Sequence, residues 1–225
     1  MCFNISVAKK KKNLEQRFEA EFEPHALFEP EFFLSAFTHP SVPVITNDEP
    51  SVIQTYTWGL IPHWVRNEDQ AADISTKTFN ARVETAGVKP SFRDSLKSQR
   101  CLVLADGFYE WQTEEKIKTP YYIYKDGSEP FAFAGIWNSW VNTHTGEIHK
   151  TFSILTQDAN PFMSQIHNVK KRQPIILTPE TESLWLNEPC VDLIKQTGYA
   201  TELQAHAIDK KFRTFGNSPD VIKPV

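Results

Sequence analysis

RCLVLADGFYEWQTEEKIKTPYYIYKDGSEPFAFAGIWNSWVNTHTGEIHKTFSILT, residues 100–156, decides the fold class. It opens with a strand expected over 100–104, apolar without a break after Arg100, the pattern of a strand covered on both faces. Runs rich in aromatic and β-branched residues follow at 121–124, 131–140 and 150–156. Asp126-Gly127 and Thr145-Gly146 separate them, and short glycine-bearing turns of this kind join strands that pair antiparallel. This stretch predicts the bulk of a sheet. Further strands are expected at 3–7, 42–45 and 52–59. Helices are few. Leu14, Phe18 and Phe22 recur every four residues, which predicts an amphipathic helix from Lys10 to Glu23, stopped by Pro24. A short helix is expected over 158–165, opening at Asn160-Pro161. Another runs from the Thr178 cap and Pro179 to about Leu186, and a weaker one lies in the tail 191–225. Residues 24–50 hold five prolines and read as irregular apart from the strand at 42–45. The expectation is an α+β protein: one β-rich domain over 1–225, with a mostly antiparallel, strongly bent, barrel-like sheet and a few peripheral helices.

Forty per cent hydrophobic residues, with 16 Phe and 6 Trp among 225, suffice for a large aromatic core. No apolar run reaches the length of a membrane span, and no secretory signal precedes Lys9–Lys12, so a cytosolic protein with no membrane partner is expected; a monomer is expected separately. Cys2, Cys101 and Cys190 are an odd number without metal-ligand spacing, which predicts neither a disulfide framework nor a metal, and no cofactor motif is present. A formal charge of −4 excludes a uniformly basic nucleic-acid binder but leaves local patches open, and basic residues cluster at 9–12, 170–172 and 210–213.

The residues that carry chemistry begin with Cys2. Once Met1 is removed, Cys2 offers an α-amine and a thiol on adjacent carbons, a pair that condenses with an aldehyde to a Schiff base and then closes to a thiazolidine ring. An α-amine of pKa ~7.7–8.0 is neutral for roughly a tenth of the time at pH 7, about a hundredfold more than a surface lysine. Trp58-Gly59-Leu60-Ile61-Pro62-His63-Trp64 is either core filler or a surface on which bases stack. In Thr78-Phe79-Asn80-Ala81-Arg82-Val83-Glu84-Thr85, which reads as a helix start, Asn80 offers a planar amide and Arg82 a fork suited to phosphate. Glu110 lies between Tyr109 and Trp111. It is either a solvated edge-strand residue or, if desolvated, a proton donor or acceptor near neutral pH. His167, ahead of the apolar strand 175–177, is either structural or the side chain best suited to move protons at pH 7.

Four pieces in this order, Met1-Cys2, residues 80–85, Gly107-Phe108-Tyr109-Glu110-Trp111, and His167 ahead of Arg172 and Pro174, resemble the SOS response-associated peptidase family, also described as abasic-site processing proteins. The 58–64 segment and Arg100-Cys101 match as well, so the resemblance spans residues 2 to about 177. It implies a mixed, β-rich fold with a positively charged groove for single-stranded DNA, in which Cys2 captures the ring-opened aldehyde of an abasic site. It further implies that Asn80 positions the terminus and the sugar, that Glu110 assists ring opening and proton transfer, and that His167 acts as acid/base. DNA contacts would fall to Asn80, Arg82, Trp58, Pro62, Trp64 and Arg172, with a nucleoid location while bound. Two departures stand out. The family commonly begins Met-Cys-Gly-Arg, whereas Phe3-Asn4 follow Cys2 here, and the histidine motif carries the insertion Val169-Lys170-Lys171 with Gln173 where methionine is usual. The insertion adds two positive charges beside the expected groove. A thiol peptidase using Cys2 and His167, and a non-catalytic nucleic-acid-binding module, are the other readings of the same residues.

Overall fold

The computed structural model describes residues 2–200 and 202–225. In chain order the strands are β1 (Asn4–Val7), β2 (Glu21–Phe22), β3 (Glu31–Ser35), β4 (Ser41–Thr46), β5 (Val52–Trp58), β6 (Asn80–Arg82), β7 (Arg100–Ala105), β8 (Gly107–Glu114), β9 (Ile117–Tyr124), β10 (Phe131–Val141), β11 (Ile148–Asp158), β12 (Arg172–Pro174) and β13 (Gln204–Ala207). The helices are α1 (Lys11–Phe18), α2 (Glu68–Ser75), α3 (Val83–Ala86), α4 (Arg93–Ser98), α5 (Pro161–Ile166), α6 (Pro179–Asn187) and α7 (Val191–Ala200).

The run 100–156 forms the heart of the molecule. β11 pairs with β10, β10 with β7, β7 with β4 and β4 with β5, all antiparallel. β5 then returns to β11 through a parallel pairing, Thr57↔Thr151 and Trp58↔Phe152, which closes a five-stranded barrel and removes its free edges. Trp58 and Phe152 stack at this seam with ring centroids 5.9 Å apart. Gly135 of β10 lies opposite Cys101 of β7, where a Cβ would come within 2.7 Å of both Cys101 Sγ and Val103 Cγ2. The missing side chain is what lets these strands approach around filled apolar positions. A second sheet, β13-β9-β8-β1-β3, lies outside the barrel, and one apolar cluster reaches from Cys2 to Ile194. The fold is mixed α+β in a single domain, as the strand pattern implies.

The chain leaves the barrel for the outer sheet at Asp106, between β7 and β8. Its buried carboxylate accepts from Ser6 Oγ at 2.5 Å and from the amides of Ala8 and Lys9 at 2.7 and 2.9 Å. Asp106 therefore ties down β1, the strand that follows Cys2. Two local expectations change. α1 ends at Phe18, not Glu23, because Glu19 turns into the left-handed region (φ 50°) and 21–22 add to the barrel sheet beside β5. The proline-rich stretch holds a second strand, β3, which the pattern hides because all five of its residues are half-buried and nothing alternates.

Candidate active site

Four elements converge on residue 2. Cys2 enters β1, which is held between β3 and β8. Asn80 opens β6, which runs parallel to β11 through Ile154↔Asn80, so this polar stretch completes a ladder before α3 begins at Val83. The Asn80 Nδ2 donates to the Cys2 carbonyl at 2.8 Å, while its buried Oδ1 has no hydrogen-bond partner among the described residues. Glu110 stands on β8, opposite Tyr121 of β9. His167 terminates α5, a helix started by Asn160, whose Oδ1 accepts from the Met163 amide at 2.8 Å, with Pro161 at its first position.

His167 Nδ1 lies 2.8 Å from the Arg172 carbonyl. A carbonyl only accepts, so Nδ1 carries the proton and Nε2 holds the lone pair. The longer 3.4 Å approach of the Arg172 amide to the same nitrogen would need the opposite tautomer and is the weaker contact. Nε2 then sits 3.8 Å from Glu110 Oε2. Glu110 is 4 % exposed and His167 8 %. Burial pushes the Glu110 carboxyl up to about 7, against the pull of Lys170 and of a backbone hydrogen bond at Trp111. Burial, with the nearby positive charges of Lys170 and Arg172, pushes His167 down. Near neutral pH the pair therefore sets a carboxyl able to hold a proton against an imidazole biased toward its neutral form. Burial, then the Glu110 charge, drives the Cys2 thiol far up, so it rests as SH. Cys2 is fully buried in this chain, which still carries Met1. Met1, whose removal the aminothiol chemistry requires, lies outside the described residues.

The residues expected to contact DNA divide. Arg82 is exposed at the end of β6, and Trp64 is 44 % exposed with its indole N–H on the Pro90 carbonyl at 3.2 Å. Trp58 is core: it is fully buried, stacks on Phe152 and donates to the Phe79 carbonyl at 2.9 Å. Pro62 is buried as well, so neither presents a face to a base. Arg172 is tied into the fold as a structural cation. Its guanidinium is buried, grips both oxygens of Glu84 at 2.8 and 3.0 Å, and also donates to Asp158 at 2.6 Å and to the Thr156 carbonyl at 2.8 Å. Glu84, four residues after Asn80, is the partner that sequence reasoning missed; its only signal was a lone acidic residue beside Arg82.

The model of the family described as SOS response associated peptidase (SRAP) matches residues 1–214. The chain belongs to this family. Over 231 residues it is 32 % identical to a Bacillus subtilis relative named abasic site processing protein YoqW, covering 99 % of each chain. It is 34 % identical over 189 residues to the B. subtilis abasic site processing protein YoaM, covering 83 % of this chain and 79 % of that one. A crystal structure of a protein from Bacteroides thetaiotaomicron superposes with a TM-score of 0.91 at 35 % identity, covering both chains completely. The SRAP assignment thus extends across the barrel, the outer sheet and all four site elements.

Proposed function

We propose that this SRAP protein processes abasic-site damage in DNA, and that it does so in single strands by covalent capture of the ring-opened sugar on Cys2. The observation that supports this reading is the convergence of Cys2, Asn80, Glu110 and His167 from four separate elements, with the acid and the imidazole 3.8 Å apart. Removal of Met1 turns the amide nitrogen of Cys2 into an amine. The amine adds to the aldehyde carbon, and Glu110 gives its proton to the departing hydroxyl, which leaves as water. The thiol then adds to the resulting iminium carbon, and its proton passes to His167 Nε2. A proton transfer from His167 to Glu110 returns the pair to its starting state, so the sum is aldehyde plus aminothiol to thiazolidine plus water. In the untrimmed chain burial holds the thiol as SH, which disfavours thiolate attack on a peptide. Arg82 and Trp64 are the exposed candidates for phosphate and base.

The test is a single-stranded oligonucleotide carrying one abasic site. The trimmed protein is expected to yield a band that survives SDS, and intact-mass measurement should show loss of Met1 in the active fraction. Cys2→Ala, and a chain with extra residues ahead of Cys2, should yield no such band. An adduct formed by the extended chain would refute the aminothiol mechanism, since an internal cysteine has no amine to give.

A further inference from the structure

The insertion 169–171 forms an ordered turn against the site. The Lys171 amide donates to the His167 carbonyl at 2.9 Å, closing one turn beyond α5, with Lys171 in the left-handed region at φ 48°. The Lys171 carbonyl accepts from the Ala159 amide at 2.9 Å. From the other side Asn168 grips β8 with both ends of its amide, Oδ1 accepting from the Thr113 N–H at 3.0 Å and Nδ2 donating to the Thr113 carbonyl at 2.8 Å. Between these anchors Lys170 is exposed, and its charge acts on both Glu110 and His167.

The charge balance around the site gives this lysine a task. Arg172 is consumed by Glu84 and Asp158, a trio that sums to one negative charge, and Glu110 adds a further negative fraction near neutral pH. A phosphodiester approaching the buried pair meets repulsion unless a free cation stands beside it. Asn4, neutral and buried, supplies none.

We propose that Lys170 is a further substrate-binding residue, which from its doubly anchored turn holds the DNA phosphate next to the sugar that Cys2 captures. This rests on the reading of the site as an abasic-site trap and adds to it the residue that places the backbone. Arg172, the cation the motif offers for that task, serves the fold, and the insertion supplies its replacement.

The experiment compares Lys170→Met with Lys171→Met, which removes the same charge one residue away. The first probe is single-stranded DNA carrying a tetrahydrofuran analogue, which has no aldehyde and reports binding alone, titrated between about 50 and 200 mM salt. Losing one phosphate contact should lower the slope of log K against log salt by about 0.7 in Lys170→Met, with a clearly smaller change in Lys171→Met. The second probe is free 2-deoxyribose, a neutral aldehyde without phosphate, followed by intact mass; Lys170→Met should lower its capture far less than it lowers capture of abasic DNA. A wild-type salt slope in Lys170→Met, an equal loss in Lys171→Met, or a parallel fall in deoxyribose capture would each overturn the assignment. Failure of the trap reading is distinct: the wild-type protein would then capture neither deoxyribose nor abasic DNA, whatever the salt slopes.

Discussion

Replacing Glu110 by Gln should make the protein more stable and less active at the same time. The carboxyl is 4 % exposed, and burial lifts it from an ordinary 4.5 to about 7. A folded-state value above the unfolded one means that the folded chain prefers the protonated acid. The contribution of this group is thus favourable at low pH and is lost as the pH climbs from about 4.5 through about 7. At pH 8 the folded protein carries a buried carboxylate that costs about 3 kcal/mol relative to the unfolded chain, and at pH 5 the same cost is under about 1 kcal/mol. Glutamine, similar in shape and never charged, carries no such term. Urea unfolding should therefore show Glu110→Gln gaining about 2 kcal/mol more over wild type at pH 8 than at pH 5. The corresponding shift in Tm is about 4–8 °C for a chain of this size. Adduct formation should fall by about 100-fold, the scale of a lost general acid, and its decline above neutral pH should disappear because the group that loses its proton there is gone. A stability difference that is the same at pH 5 and pH 8 would refute the reasoning, since it would mean that Glu110 is ionised in the folded protein throughout.

Arg172→Met should cost about 2–3 kcal/mol in denaturant unfolding, below the full value for a broken buried pair because the Glu84 and Asp158 side chains are 35 % and 76 % exposed and turn to water. The salt slope of binding to single-stranded DNA should stay at the wild-type value in that variant; a lower slope would restore Arg172 as a phosphate contact. Trp58→Ala and Trp64→Ala should part company. The buried Trp58 should cost about 3–5 kcal/mol of stability, and the half-exposed Trp64 should change stability by under about 1 kcal/mol while weakening single-stranded DNA binding by about 1–3 kcal/mol.

Much of the sheet is legible in the sequence because its strands announce themselves locally. β7, β10 and β11 are long and apolar, and the turns between β9, β10 and β11 carry glycine where the chain must reverse. α5 and α6 are legible for a similar reason: Asn160-Pro161 and Thr178-Pro179 satisfy helix N-termini with nearby atoms. β3 and the early end of α1 are not, since half-burial without alternation leaves no period to read, and the pairing of 21–22 with β5 is a contact between distant residues. In the site, residue types spoke for the chemistry available: an aminothiol, an amide, a carboxyl and an imidazole. Burial, which separates a proton donor from a solvated glutamate and a stacking tryptophan from a core one, came only with the fold.

The sequence by itself determined the mixed α+β class, most of the strands and the identity of the reactive groups, because backbone periodicity, turn chemistry and side-chain functionality are local properties. Tertiary structure alone decided that β5 closes on β11, that Glu110 lies in low dielectric against a neutral His167, and that Arg172 spends its charge on Glu84 and Asp158 while the Lys170 turn stays exposed. Closure, desolvation and ion pairing each depend on atoms brought together from far apart in the chain, and no local pattern encodes which of two exposed-looking cations will be buried.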